Sequence, residues 1–294
     1  MIKEILKKAI FNSVGSLIYL FFPLIIKIRR KSIFVLNYHT TYPDHNKNFV
    51  KQILFYKKYF DLVDENYFLK NKNKNKNKQL YQKPKLMISF DDGHISNFYI
   101  LKILEKYKVP ATFFIPYEFV NRKREKNLYQ ENKITNKKFN IISNLYKDIN
   151  NKYKSLSMSF KELKKLTDQK YIIGAHGYSH IRLSENLSNK DLSKEIIKSK
   201  KMLEKKLKIK INSFCWTFGD KKSYSTKASQ IIRKSYKLSF MTCGKPFDFR
   251  QNLFQIHRFN IENFFSLFQV AFVLSGIYEL IYYKKRNYVN RITK

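Results

Sequence analysis

The chain is poor in cysteine, in acids and in internal repetition. Cys215 and Cys243 are its only cysteines in 294 residues. That count excludes a disulfide framework and a zinc ribbon, both of which need closely spaced pairs. Each cysteine follows an apolar run, so a bridge between them stays geometrically open, but two buried thiols in a reducing compartment are expected. No period repeats along the sequence, which excludes a solenoid, and the length fits one large α/β domain. Acids number 22 against 59 lysines and arginines, a formal charge of +37.

So basic a chain invites nucleic acid or an anionic membrane as partner. Lysine, however, is scattered among Asn, Ile, Tyr and Phe throughout, including the low-complexity run 71–78. Aromatic and basic residues do not alternate along one face, so no specific nucleic-acid site is expected and a solvated basic surface is.

Charge is also missing from Ala9 to Ile26, between Lys7 and Lys8 on one side and Lys27, Arg29, Arg30 and Lys31 on the other. Asn12, Ser13, Gly15, Ser16 and Pro23 weaken this stretch as a membrane span. No small-residue cleavage site follows it, so no cleavable signal peptide is expected. The preceding residues alternate at helical spacing, Ile2, Ile5, Leu6, Ala9 and Ile10 against Lys3, Glu4, Lys7 and Lys8. Three placements remain open: an interfacial helix, a single span, or a helix packed on the domain. The expected organisation is 1–31 as this N-terminal helix, 32–283 as the catalytic domain and 284–294 as a basic tail.

What is present is a run of short apolar segments alternating with helical patterns, the signature of a parallel sheet or barrel. Strands are expected at Ile33–Tyr38, Leu86–Phe90, Ala111–Ile115, Tyr171–Ala175, Ile211–Trp216, Leu238–Met241 and Phe254–Phe259. Helices are expected over Phe49–Phe60, Asn97–Lys108, Ser188–Lys208 and Ser225–Tyr236. Another opens at a capping box of Ser159 and Glu162, and a last one covers the barrel over Phe264–Tyr283. The polar stretch from Tyr117 to Ser157 reads as an excursion over the surface, helical near 140–153.

Two stretches carry chemistry. The first is Leu86-Met-Ile-Ser-Phe-Asp91-Asp92-Gly93-His94, an apolar strand ending in two carboxylates. Acids at the carboxyl end of a buried strand cost desolvation unless they meet a cation or donors. Neighbouring side chains on extended backbone diverge, so one acid can ligate a metal while the other approaches its water. The second is His176-Gly-Tyr-Ser-His180 after the strand at 171–175. Its spacing brings two imidazoles to one side, and with Asp92 they complete two nitrogens and one oxygen.

Together these stretches resemble the polysaccharide deacetylase family, carbohydrate esterase family 4. The carrying residues are Ser89-Phe-Asp-Asp-Gly93, Pro110-Ala-Thr-Phe-Phe114, Gly174-Ala-His-Gly-Tyr-Ser-His180 and, more loosely, Phe214-Cys-Trp-Thr-Phe-Gly219. The likeness runs from about Ile33 to Ile281. It implies a distorted (β/α) barrel holding a divalent metal, zinc or a first-row neighbour such as cobalt, that removes an N-acyl group from an amino sugar. By position, Asp91 resembles the catalytic base and Asp92, His176 and His180 the metal ligands. The backbone N–H of Phe218 resembles an oxyanion donor, with Thr217 standing where the family carries proline. The family's arginine near that stretch is absent, with Cys215 in its approximate place. Gln255-Ile-His-Arg258 loosely resembles a Leu-Pro-Arg ending, which offers His257 as general acid and Arg258 as partner of Asp91.

His39 and His94, at neighbouring strand ends, are further candidates for supporting the site. The expected substrate is an N-acetylated cell-surface glycan or its lipid-linked precursor, in a bacterial-type cell, with the protein cytoplasmic or held at an anionic membrane. The competing reading is a barrel that has lost turnover and binds glycan.

Overall fold

The structure, a computed structural model, describes residues 2–72, 82–121 and 157–294, and for 2–12 the backbone course alone. The Asn-Lys connector and most of the surface excursion read from the sequence fall outside the described residues.

Helix α1 (Ile2–Ile28) leads by a short connection into β1 (Ile33–Tyr38), and α2 (Asn46–Tyr59), β2 (Asp61–Val63) and α3 (Asn66–Asn71) follow. Next come β3 (Lys85–Phe90), α4 (Ser96–Tyr99), α5 (Leu101–Lys106), β4 (Ala111–Ile115) and α6 (Tyr117–Val120). Beyond the excursion lie α7 (Phe160–Asp168) and β5 (Ile172–Ala175). Helix α8 runs from Asn189–Ser193 through a π turn, Lys194–Lys198, into Ser199–Leu207. The chain continues with β6 (Ser213–Cys215), α9 (Thr226–Ser235), β7 (Leu238–Met241), β8 (Ile256–His257) and β9 (Phe259–Asn260). It ends with α10 (Leu267–Leu274), α11 (Ile277–Ile281) and α12 (Tyr283–Ile292).

All strand pairings are parallel, in the order β8-β7-β6-β5-β4-β3-β1-β9. β8 and β9 are one short segment interrupted at Arg258, so the same stretch pairs β7 on one side and β1 on the other and brings the sheet close to closure. β2 takes the lower half of the β3 edge, against Lys85–Met87, whose upper half pairs β4. This is the distorted (β/α) barrel that the family resemblance implies, one of the two arrangements left open by the strand-helix alternation.

Alternation along buried strands sends one set of side chains inward and the other toward the helices. The outward set joins the helices in the larger apolar cluster. The inward set, including Val35, Met87, Phe114 and Phe240, forms a smaller one plugged below by Phe68 and Phe247. The floor of the barrel is therefore apolar. Toward the carboxyl ends of the strands the same inward rows become Ser89, Asp91, Cys215 and Arg258, all buried. Polar groups are thus gathered at one end, which is where barrel folds carry their sites.

Two helical expectations and the reading of the C-terminal segment differ in the structure. Asn97–Lys108 is two pieces meeting at Ile100. Phe264–Tyr283 is broken at Gly276, whose φ of +117° suits glycine, and a Cβ there would collide with the Arg29 guanidinium. Most of the segment read as a basic tail is helix α12, with Val289 and Thr293 buried. The capping box at Ser159 and Glu162 forms as expected.

Candidate active site

β3 delivers Asp91 and Asp92 at its carboxyl end. Asp91 stays in line with the inward row, and its N–H donates to the Tyr38 carbonyl at 2.8 Å. Asp92 turns away from that row because its backbone is left-handed, at φ +69°, followed by Gly93 at +64°. A left-handed aspartate is unfavourable on its own and persists where the surroundings impose it. The two carboxylates consequently face different partners.

Asp91 is fixed by Arg258 through two parallel bonds of 2.7 Å, Nη1 to Oδ1 and Nη2 to Oδ2. Arg258 also donates to Ser89 Oγ at 3.1 Å and lies 2.8 Å from Cys215 Sγ, and its guanidinium sits over the Phe114 ring. Burial disfavours the Asp91 carboxylate, but the guanidinium outweighs it and holds the acid below its usual range. Asp91 is therefore ionised at neutral pH in spite of its enclosure.

Asp92 faces the imidazoles. Its Oδ1 lies 3.3 Å from His176 Nε2 and 3.1 Å from His180 Nε2, and the ligating atoms of these three residues all fall within 4.8 Å of one another. His176 Nδ1 is 2.9 Å from the Cys215 carbonyl, so Nδ1 carries a hydrogen and Nε2 is the nitrogen turned to Asp92. His180 arrives from a left-handed residue, φ +55°, with its ring 4.8 Å from that of Phe218. Asp92 Oδ1 is buried and makes no hydrogen bond. An unsatisfied carboxylate oxygen aimed at two imidazole nitrogens is what a dication would satisfy, and two nitrogens with one oxygen suit zinc and its neighbours. The residues present fit the group.

A second cluster, Asp91, His176 and Cys215, also has its donor atoms within 4.8 Å. Its acid and thiol are both held by the Arg258 cation, and burial pushes the thiol pKa up. A dication there would face a fixed positive charge. Cys215 and Cys243 are both buried and free.

Glu195, on the π turn of α8, is a residue the motifs did not indicate. Its Oε2 accepts from the Tyr178 N–H at 2.9 Å and the Ser179 N–H at 2.8 Å, pinning the loop between the two histidines. A Cβ at Gly177 would stand 3.1 Å from that oxygen. Since this carboxylate sets the distance between the imidazoles, Glu195→Ala is expected to weaken zinc affinity by about 10–100-fold. Competition with a chromophoric chelator measures it, and unchanged affinity would remove Glu195 from the site.

The remaining candidates divide. Thr217 is buried, its hydroxyl donating to the Ile181 carbonyl at 2.6 Å, and it holds the turn on which Phe218 adopts φ +57°. Arg182 lies 4.0 Å above the Phe218 ring and bonds Asp220 at 2.7 Å, closing the wall beside His180. His94 Nδ1 is 2.9 Å from Ser96 Oγ and accepts from the Ser96 N–H, a role in starting α4. His39 Nδ1 meets Glu262 Oε1 at 3.1 Å, and its side chain is 37% exposed. Burial lowers the His39 pKa, but Glu262, with Asp92 and Asp91 beyond it, raises it to about 9.

His257 is placed differently from the expected general acid. Strand alternation turns it outward from Arg258, and its Nε2 meets Asn290 of α12 at 2.8 Å. Burial, with Arg286, Lys245 and Lys285 nearby, lowers its pKa to about 3. A neutral histidine enclosed on the outer side of the barrel has no proton to give at the mouth.

The sequence profile of the polysaccharide deacetylases matches residues 78–235, more than half of the chain. The chain belongs to the polysaccharide deacetylase family. Membership supports a hydrolase that deacetylates polysaccharide, chemistry that in this family typically depends on a metal. No curated protein matches the sequence. Among solved structures, the deacetylase PplD of Streptococcus pyogenes, in complex with acetate, is similar at 18% identity and a TM-score of 0.62, over 83% of this chain and 98% of that one. BC0361, a polysaccharide deacetylase from Bacillus cereus, gives 19% and 0.59 over 83% and 69%. IcaB from Ammonifex degensii gives 17% and 0.58 over 83% and 97%. At these identities the likeness establishes the deacetylase barrel.

Proposed function

We propose that the protein is a metal-dependent N-deacetylase that removes an acetyl group from an amino sugar of a cell-surface polysaccharide or of its lipid-linked precursor. The observation that carries this reading is the pairing of an unsatisfied Asp92 oxygen with two imidazole nitrogens, beside a second carboxylate kept ionised. Asp92, His176 and His180 would hold the ion, and zinc suits that donor set. When bound, such a cation supplies Lewis acidity, lowering the pKa of water and polarising a carbonyl oxygen.

The chain's own groups divide the remaining work. Asp91, oriented by Arg258, takes the proton from the attacking water as the new C–O bond forms. The Phe218 N–H, on its left-handed turn, donates to the carbonyl oxygen as charge builds there. The C–N bond then breaks, and the departing nitrogen needs a proton, since an amide anion is too basic to leave. His39 takes the acid role that the sequence offered to His257, because it stands at the mouth and Glu262 keeps it protonated. Acetate and a free amine are the products.

Arg258 also bears on the glycan-binding alternative, which Thr217 in place of the family's proline and the absence of the family's arginine nearby would favour. An arginine from the last strand grips the same acid, so the base is equipped for turnover.

Protein loaded with zinc or cobalt is expected to release acetate from N-acetylated oligosaccharides. One bound metal with glycan affinity and no acetate release would replace the enzyme with a binding protein. A protonated His39 implies that the rate falls as pH rises through the His39 pKa, which Glu262 lifts above the ordinary imidazole range. His39→Gln is expected to lose that alkaline limb and about 10²–10⁴-fold in rate. An unchanged pH profile in the variant would return the acid role to another group.

A further inference from the structure

Helix α1 is apolar on two opposite faces, and the fold uses only one. Gly15, Phe22 and Ile26 are buried and Ile18 and Tyr19 half-buried. A Cβ at Gly15 would lie 2.8 Å from the Phe268 carbonyl of α10, Tyr19 stacks on Phe55 and meets Phe268 edge-on, and Phe22 packs against Phe55 and Tyr59. The other stripe, Val14, Leu17, Leu20, Phe21, Leu24 and Ile28, recurs at the same helical spacing and points outward, with Leu20 71% and Ile28 87% exposed. A surface helix ordinarily turns a polar face to water, whereas one apolar all round is covered by something.

The stripe continues onto neighbouring elements. Phe268 is itself exposed beside α1. At the other end Arg29 pairs with Glu279 of α11, next to which Leu280 and Ile281 are exposed. Around this apolar area stand exposed Lys27, Arg30, Lys31 and Lys284. Apolar residues rimmed by cations match the boundary between acyl chains and anionic headgroups.

We propose that this face is a membrane-docking surface, on which the outer stripe of α1 lies in the plane of an anionic bilayer with its apolar side chains among the acyl chains. Two observations choose lipid over a second copy of the chain. The net charge of +37 opposes bringing two copies together and favours an anionic surface. The stripe itself carries no acid that could pair with the rim of a partner copy. Among the described residues no helix is long and apolar enough to cross a membrane. The proposal is independent of the catalytic reading.

The test is flotation of the full chain with vesicles of equal parts phosphatidylcholine and phosphatidylglycerol. The wild type is expected to float and to remain bound in about 1 M salt, where the screening length is ~3 Å and surface attraction is largely lost. The triple variant Leu17→Glu, Leu20→Glu, Leu24→Glu is expected to lose vesicle affinity by about a hundredfold or more while binding zinc as before. Because the native Trp216 is buried, Phe21→Trp adds a reporter whose emission should shift to the blue only when vesicles are present. Absence of flotation overturns the proposal. So does wild-type binding that salt abolishes, which would be adhesion through scattered lysines. A concentration-dependent dimer that the triple variant disrupts would make the stripe a self-association surface instead.

Discussion

Asp91→Asn is expected to reduce acetate release by roughly 10³-fold while leaving the bound metal in place. The amide keeps the shape of the carboxylate but cannot take a proton from water, and the three proposed ligands lie on Asp92 and the 176–180 loop. The substitution also leaves Arg258 buried without its counter-charge, at a cost of about 3–5 kcal/mol. Metal content and a thermal melt should therefore accompany the rate. Loss of activity with metal retained and the fold intact assigns the base. Activity near the wild-type level would remove Asp91 from the chemistry, whatever its burial.

Arg258→Met should cost a comparable amount of stability, and its sign with pH is distinctive. In the wild type the guanidinium holds the Asp91 pKa below its usual value, so the pair contributes stability above the unfolded carboxylate range, lost as pH falls through the folded pKa. In the variant burial, which raises the pKa, is opposed only by the nearby His176 and His39 and no longer by the guanidinium. Asp91 would then contribute stability at low pH that is lost as pH rises. The difference between the two proteins should widen from about pH 4 to about pH 7, reaching roughly 3–5 kcal/mol. The acid limb of the pH–rate profile should move upward as well. Arg258→Lys restores a charge without the two parallel bonds and should recover only part of either effect. Denaturant melts across that pH range decide the matter, and a pH-independent difference would mean that Arg258 acts through packing alone.

The barrel and the ligand cluster were legible because they rest on local signals. Apolar runs at 33–38 and 238–241 form strands with the expected boundaries, since buried parallel strands have few other ways to satisfy period and length. The two acids and two histidines come with short spacings that constrain their geometry. The inward position of Arg258 followed from alternation, which also turns His257 away, so the neighbouring pair could not both reach the mouth. Less legible were groups whose meaning lies in distant partners. Glu262 is 223 residues from His39, and Glu195 sits in a lysine-rich helix with no motif around it. The three-residue β2 gives too little pattern to read, and it exists because the lower edge of β3 is unpaired without it. The break at Gly276 depends on Arg29 approaching it, a tertiary contact. In α12 the buried positions Arg286 and Val289 are too few among the charges to show a periodic face.

The proposed hydrolysis requires Asp92, His176 and His180 to grip one ion together. Metal content of the native protein, measured by elemental analysis beside His176→Ala after equal exposure to zinc, tests it without any substrate. The prediction is one zinc per chain in the native protein and loss of most of it in the variant, with both folded. Equal metal in the two proteins, or none in either, would contradict it.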